Sequence, residues 1–462
     1  MTPPKLVVLG CPGHRRVTLF AAAARAAGLP EPAVLPWSSV LRGRYELPPG
    51  AVVRVDSPGE DPEADRLLRG AALGDSYAAT RVEGGPAWYA GVTAALRELA
   101  ARPGVRMLGD PEEIAVMFDK RRAHAALAAA GVPVPPALPG ELPSSFEELR
   151  ERMASAGMRR VFLKPVHGSS ASGVVALEFG PRGQVQATTS VEVAPDGLHN
   201  SLTVRRYRDA AEVAALVDRL APEGLHVEQW VPKSGQGGLA ADLRVLVVGG
   251  RATHVVVRTS RHPMTNLHLG GARGELVAVR AAAGDTWPTL LATAEAAASC
   301  FPHAPMVGVD LLPHARWRRT LIGEVNAFGD LLPNLPGLPD GPAPGLDTYA
   351  AQLASPKYRE ALFPAPGGER ERVRNQGRVG APPSPPGLGR ELREAEELPR
   401  PDPLTPQPVD APAAQAPQSA STPRQGPLGV PPGEAEGAEL RETEGQHRPD
   451  PSTPQPVDTP AA

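Results

Sequence analysis

The sequence predicts an α/β chain, α+β in its later part, with an open α/β domain first and a disordered Pro-rich tail last. Three observations carry this. Short β-branched runs alternate with helical stretches up to about residue 108. From residue 160 onward, apolar strands are joined by Gly-rich links. From about Pro364, apolar periodicity ends and Pro, Gly, Glu and Arg dominate.

Lys5–Gly10 is a buried-type strand ending in Gly-Cys-Pro-Gly, and Val17–Ala27 is a helix with Gly28 as its C-terminal stop. Ala51–Val55 is a second strand, and Trp88–Ala101 a helix halted by Pro103-Gly104. In open α/β sheets ligands sit beyond the carboxyl ends of strands. The loops 10–14 and 54–59 fall there, so Arg54 and Asp56 are substrate-site candidates, with ordinary turn chemistry as the plain alternative. Asp110-Pro111-Glu112-Glu113 has the N-cap, first-turn proline and acids of a helix start. It leads through Phe118-Asp119-Lys120 into a second helix, closed by Gly131; Val132–Pro135 must be extended.

Arg160–Val166 is a strand with Lys164 near its end. The link Gly168-Ser169-Ser170-Ala171-Ser172-Gly173 is rich in small residues, so its backbone N–H groups can close on phosphate oxygens. It lacks the helix and Gly-Lys-Ser/Thr of a P-loop, and a plain flexible hairpin would look the same. His226–Val231 is a strand stopped by Pro232. Arg244, Arg258 and Arg273 could meet anionic groups bidentately, or lie on the surface. Thr289–Cys300 is an Ala-rich helix that would pack behind the hairpin that follows it.

That hairpin is the most informative stretch, Met306–Leu331. Side chains on a strand repeat every two residues, so Gly308, Asp310 and Leu312 share one face, and Ile322, Glu324 and Asn326 share another. A turn through 313–320 brings Asp310 beside Glu324 and Asn326. Two carboxylates and an amide oxygen are hard ligands of the kind Mg²⁺ prefers. A solvated face with scattered acids is the alternative.

The chain has 462 residues and a formal net charge of −3, so no global field favours nucleic acid or an anionic membrane. No apolar run reaches the ~18 residues of a membrane span, and the first residues carry too short an apolar stretch for a signal peptide. Two cysteines, Cys11 and Cys300, fit a reducing cytoplasm and give no disulfide framework. In the tail, Arg400–Ala414 recurs as Arg448–Ala462 and Glu391–Glu397 recurs as Glu439–Gly445, each 48 residues further on. Neither copy has an apolar face to bury, so we read residues 364–462 as disordered. The tail is a candidate partner-binding segment, with an inert linker as the default.

Taken in order, these features resemble the ATP-grasp superfamily, in particular its carboxylate–amine ligases of the ribosomal-protein glutamate ligase and glutathione synthetase type. The matching residues are Asp119-Lys120, Phe162–Pro165, Gly168–Gly173, Glu228–Val231, Asp242–Arg244, Arg258, Asn266–Gly271, Asp310 and Glu324–Asn326. The resemblance implies a pre-ATP-grasp α/β domain over 1–108, a two-lobed ATP-grasp fold over 109–225 and 226–363, and the tail beyond. It implies that Lys120 and Lys164 hold the α- and β-phosphates, and that Gly168, Ser169, Ser170 and Gly173 belong to a lid over them. Glu228, Gln229, Trp230 and Val231 would form the hinge at the adenine, with Trp230 an apolar wall. Asp310, Glu324 and Asn326 would hold one or two Mg²⁺ ions, or Mn²⁺. Arg258 and Asn266 would lie near the transferred phosphoryl group, and Arg244 or Arg273 near the acceptor. Many relatives place a glutamate just past the hinge for the ribose hydroxyls; here stands Pro232-Lys233, which leaves Asp242 as a substitute or the ribose held another way.

The implied activity is ATP-dependent joining of a small-molecule or peptide carboxylate to an amine or thiol through an acylphosphate, with ADP and phosphate released. A phosphotransferase acting on a hydroxyl and a non-catalytic nucleotide-binding scaffold are the alternatives. A homo-oligomer is compatible with the resemblance, which supplies neither a nucleic-acid nor a membrane partner. Deleting residues 364–462 is expected to leave soluble yield and ATP turnover near normal; a collapse in soluble yield of the truncated chain would contradict the reading of the tail.

Overall fold

The N-terminal sheet is parallel, its two central strands are buried on both faces, and each strand is followed by a helix. Strand β1 (Lys5–Gly10) is buried from Leu6 onward. It leads to α1 (Arg15–Ala26), β2 (Ala33–Pro36), α2 (Trp37–Leu41), β3 (Ala51–Val55), α3 (Pro62–Leu73), α4 (Gly85–Ala101) and β4 (Arg106–Leu108), with strand order β2-β1-β3-β4. Helix α3 starts as its sequence dictates: Asp61 accepts N–H bonds from Glu63 and Ala64, and Pro62 occupies the first turn.

In the computed structural model the described residues are 5–59, 61–328 and 334–363. They lie in one compact unit, Met1–Gly380; a second unit, Ala381–Ala462, contains none of them. The tail expected from residue 364 is therefore outside the described residues. No helix among those described is long and apolar enough to cross a membrane.

Helices α5 (Pro111–Phe118) and α6 (Lys120–Ala129) are joined at Asp119, whose side chain accepts from the N–H groups of Arg121 and Arg122. After α7 (Phe146–Ser155) comes an antiparallel sheet: β5 (Arg160–Pro165), β6 (Val175–Phe179), β7 (Val185–Ala194), β8 (Gly197–Tyr207), then α8 (Ala210–Leu220) and β9 (Leu225–Gln229), ordered β8-β7-β6-β5-β9. Alternation divides β5 cleanly. Val161 and Leu163 pack against α7 and α8, while Phe162 and Lys164 face the other way. Strand β9 pairs with β5, so the strand expected to open the second lobe at residue 226 instead completes the first.

The third sheet is built from β10 (Gly235–Gln236), β11 (Leu239–Val248), β12 (Arg251–Ser260), β13 (Ala272–Arg273), then α9 (Leu276–Ala283) and α10 (Trp287–Ser299), and finally β14 (Met306–His314) and β15 (Arg319–Asn326). Its order is β13-β12-β11-β14-β15, with β10 on β11. Helix α10 covers one face, burying Leu290, Ala294 and Ala297 against Val307, Val309 and Leu311, as the Ala-rich stretch predicts. Strict alternation would put Ile322 on the same face as Glu324 and Asn326, and this is corrected. The β14–β15 register shifts at Asp310/Leu311, so that Asp310 opposes Glu324 but Leu311 opposes Ile322. Gly323 is the extra residue of a β-bulge. Ile322 and Val325 both enter the core, while Glu324 and Asn326 face away from it.

The chain returns through α11 (Thr348–Ala354) and α12 (Pro356–Leu362) to the N-terminal sheet. Tyr349, Leu353 and Tyr358 bury against Leu6, Val8 and Phe20. Here the substrate-site expectation for Arg54 and Asp56 is corrected. Both are buried, at 4% and 2% exposure. Arg54 bonds Asp56 at 2.9 Å and Gln352 at 2.8 Å, with its guanidinium 4.3 Å from the Phe20 ring centre. The pair fastens α11 to the sheet. Arg54→Met leaves the Asp56 carboxylate buried without its cation, and is expected to destabilise the fold by about 3–5 kcal/mol. Urea unfolding measures this; a loss below ~1 kcal/mol would show that the pair is not structural.

Candidate functional site

Two sheet faces and the carboxyl end of the parallel sheet bound a cleft of ≈ 530 Å³. From the β5–β9 sheet come Phe162, Lys164 and Glu228; from the other antiparallel sheet come Asp242, Arg244, Arg258, Asp310, Glu324 and Asn326. The parallel domain adds Arg15, Arg16 and Ser57, and the 168–173 link adds Gly168, Ser169 and Ser170.

The two lysines converge on the bulge. Lys120, at the start of α6, lies 2.9 Å from Glu324 and donates to the Gly168 carbonyl at 2.5 Å. Lys164 donates to the Gly323 carbonyl at 3.2 Å and ion-pairs with Glu228. A bulge carries an unpaired backbone group; here that carbonyl meets an ammonium. The Gly323 position also sits against Leu312, whose side chain a Cβ would meet at 2.9 Å. Glu228 is 3% exposed. Burial pushes its carboxyl up, but Lys164 and His226 overcome this and hold it down to about 2. Burial lowers the His226 imidazole below its ordinary value, against the pull of Glu228.

The 168–173 link leaves β5 through His167, whose ring stacks on Tyr89 of α4 at 4.0 Å. Ser170 and Ala171 are left-handed, at φ 52° and 61°, a conformation that costs non-glycine residues about 1 kcal/mol or more each. Gly173 must be glycine: its φ is 72°, and a Cβ would meet Pro165 at 2.5 Å and Val82 at 2.8 Å.

The cleft floor is an ion chain. Asp242 pairs in register with Arg258 across β11–β12, and Arg244 with Asp310 across β11–β14. Arg258 bonds Asp242 at 2.7 Å and Asp310 at 3.1 Å; Arg244 holds Asp310 through two nitrogens. Burial raises the Asp310 carboxyl, but the two arginines hold it below the usual range. Asp242 is likewise held low against burial, by Arg258 and Lys233. The Arg258 guanidinium is held above its ordinary value by both carboxylates despite burial.

Apart from Arg54 and Asp56, fifteen of the eighteen residues singled out by sequence line this cleft, including Gln229, Val231 and Asn266. Three do not: Gly173, which packs against Pro165 and Val82; Trp230, which packs on Phe162 at 5.5 Å under Arg160 at 4.0 Å; and Arg273, exposed on edge strand β13. Asp242, considered for the ribose, has both oxygens engaged by protein: Oδ1 by Arg258, and Oδ2 by Lys233 at 3.1 Å and by Thr265. Lys233, Thr265, His226, Arg15 and Arg16 were not singled out as site residues. A lysine just beyond a strand stop, beside a Gly-rich link, was the only signal for Lys233.

Asp310, Glu324 and Asn326 are hard oxygen donors of the kind a divalent cation takes, with both Asp310 oxygens also held by Arg244 and Arg258 and Glu324 held by Lys120. Asp310 and Glu324 are cross-strand partners, and Asn326 follows two residues on, its amide nitrogen 3.4 Å from the Gly308 carbonyl. No group of three or more His, Cys, Asp or Glu among the described residues could hold a metal by itself. Two carboxylates and an amide would need ligand oxygens to complete the shell, which suits Mg²⁺ carried on phosphates rather than a structural ion.

No family model matches the chain. Among solved structures it is similar to D-cycloserine synthetase DcsG, at 16% identity and TM-score 0.45 over 77% of this chain and 98% of that one. It is similar to the ATP-grasp ligase PsnB complexed with minimal precursor, at 18% and 0.41 over 71% and 91%. It is also similar to D-alanine–D-alanine ligase from Bacillus anthracis complexed with ATP, at 13% and 0.40 over 81% and 100%. Likenesses this distant say nothing of activity, so the chemistry has to come from the residues.

Because the Glu228 carboxyl falls from its usual 4.5 to about 2 in the folded protein, its ionised form stabilises the fold above about pH 4.5. That contribution is lost as pH falls through the window down to about 2. The difference in unfolding midpoint between wild type and Glu228→Gln should therefore narrow on acidification through this window; a constant difference would remove the Lys164–Glu228 pair from the stability of the cleft.

Proposed function

We propose that the protein is an ATP- and Mg²⁺-dependent ligase of ATP-grasp type, joining a carboxylate to an amine or thiol through an acylphosphate. One observation carries this reading: Lys120 and Lys164 converge on the Gly323 bulge, beside Asp310, Glu324 and Asn326, in one cleft. Cations and hard oxygen donors at that density suit a polyphosphate and its metal.

On this reading the β5–β9 sheet covers the nucleotide, the β10–β15 sheet carries the metal ligands, and the parallel domain faces the acceptor. Phe162, Val174 and Met264 give the cleft an apolar end for a base. Lys120 and Lys164 neutralise the phosphates, and the 168–173 segment excludes water above them. Asp310, Glu324 and Asn326 would hold Mg²⁺, which supplies charge neutralisation of the phosphate oxygens when bound.

In the first step a carboxylate oxygen of the acceptor attacks the γ-phosphorus. The bond to the β–γ bridging oxygen breaks, and ADP departs with that electron pair. Arg258 and Arg244 offer guanidinium charge where the γ-phosphoryl moves. In the second step the amine attacks the acyl carbon, phosphate leaves with the C–O pair, and the nitrogen loses a proton.

The test is ADP release against a panel of amino acids, small acids and peptides, each with and without an amine. Release that depends on a carboxylate supports the reading; AMP release, or a stable phosphorylated alcohol, refutes it. Glu324→Ala is expected to cut turnover by roughly a hundredfold or more. The Glu324 side chain is 32% exposed, so the melting temperature should barely move. Wild-type turnover in that variant would refute the metal assignment.

A further inference from the structure

We propose that Lys233 is a positioning residue that orients Arg258 through Asp242, an inference that rests on the ligase reading only for its effect on turnover. Lys233 belongs to no strand. It follows β9, yet its ammonium reaches the floor of the other sheet, 3.1 Å from Asp242 Oδ2 and 2.9 Å from Thr265 Oγ1. Its side chain is 9% exposed.

The chain of charges then runs Lys233, Asp242, Arg258, Asp310, Arg244. Three cations alternate with two carboxylates, and each internal member touches both neighbours. Arg258 is the shared link: its Nε goes to Asp242 and its Nη2 to Asp310. A guanidinium between two carboxylates settles according to how fully each is satisfied elsewhere. Asp310 has Arg244 as its second partner; Asp242 has Lys233. The two end cations balance each other across Arg258, and its planar fork stays aimed at both acids.

Take Lys233 away, and Asp242, 2% exposed, keeps only Thr265 on its second oxygen. A buried carboxylate short of a cation is costly, and Arg258 is the nearest charge able to relieve it. Arg258 would turn toward Asp242 and leave Asp310, altering the phosphoryl end of the cleft and the set of the proposed metal ligand together. Lys233 lines the cleft, but its ammonium is aimed at Asp242 and Thr265, and the ion chain joins it to Asp310 only through Asp242 and Arg258.

The test compares Lys233→Met, of similar length without charge, Lys233→Arg, and Asp242→Asn alone and combined with Lys233→Met. ADP release is read at saturating nucleotide and acceptor, and ADP affinity by calorimetry in Mg²⁺. Lys233→Met should lower turnover on the order of a hundredfold, the scale of a misplaced catalytic group. ADP affinity should change by less than about tenfold. Lys233→Arg should restore part of the turnover. Adding Asp242→Asn to Lys233→Met should cost less than it does alone, because no uncompensated carboxylate remains. Unchanged turnover, additive losses, or a fall in ADP affinity matching the fall in turnover would each overturn the proposal, the last by marking a direct nucleotide contact. If the wild-type chain releases no ADP with any acceptor, the ligase reading fails by itself. A crystal structure of Lys233→Met then decides: Arg258 moved off Asp310 supports the positioning role, and Arg258 unmoved overturns it.

Discussion

One inserted residue governs the cleft. Without the bulge at Gly323, strand alternation would put Ile322 on the open face with Glu324 and Asn326, and an isoleucine would stand among the charges. With it, Ile322 and Val325 both reach the core packed by α10, while the acid and the amide project outward. The same irregularity frees a carbonyl that Lys164 reaches from the opposing sheet. The two antiparallel sheets are thus tied at the point where the proposed chemistry is concentrated.

The polar floor is expensive to maintain. Desolvating an ion costs several kcal/mol even after relaxation, and apolar side chains of equal volume would hold β11, β12 and β14 together more cheaply. The arrangement stands because every buried carboxylate in it has a cation, and the strand register places those partners side by side. On the proposed reading these ions add less to stability than to the field in which a phosphoryl group moves. Pre-aimed guanidinium groups need no rearrangement when charge develops.

Much of this was legible in the sequence, and the gaps have physical causes. The cap at Asp110, the lysine near the end of β5 and the acid-bearing hairpin are local patterns, and they appear where local rules put them. The long β7–β8 hairpin went unread although Pro195-Asp196-Gly197 is a turn signature between alternating runs. The bulge was not legible, because it depends on the partner strand and leaves no mark in composition. Lys233 finds Asp242 only through the folding of a Gly-rich link. Arg54 and Asp56 stand where strand ends in open α/β sheets often meet ligands; here α11, hundreds of residues later, covers them instead.

That cover has a temporal side. The bond from Arg54 to Gln352 spans 298 residues. A ribosome adding ~5–20 residues per second needs roughly fifteen to sixty seconds to cross that interval. For all that time Leu6, Val8 and Phe20 lack Tyr349, Leu353 and Tyr358, the side chains that finally shield them. The first sheet to emerge is therefore among the last to be completed.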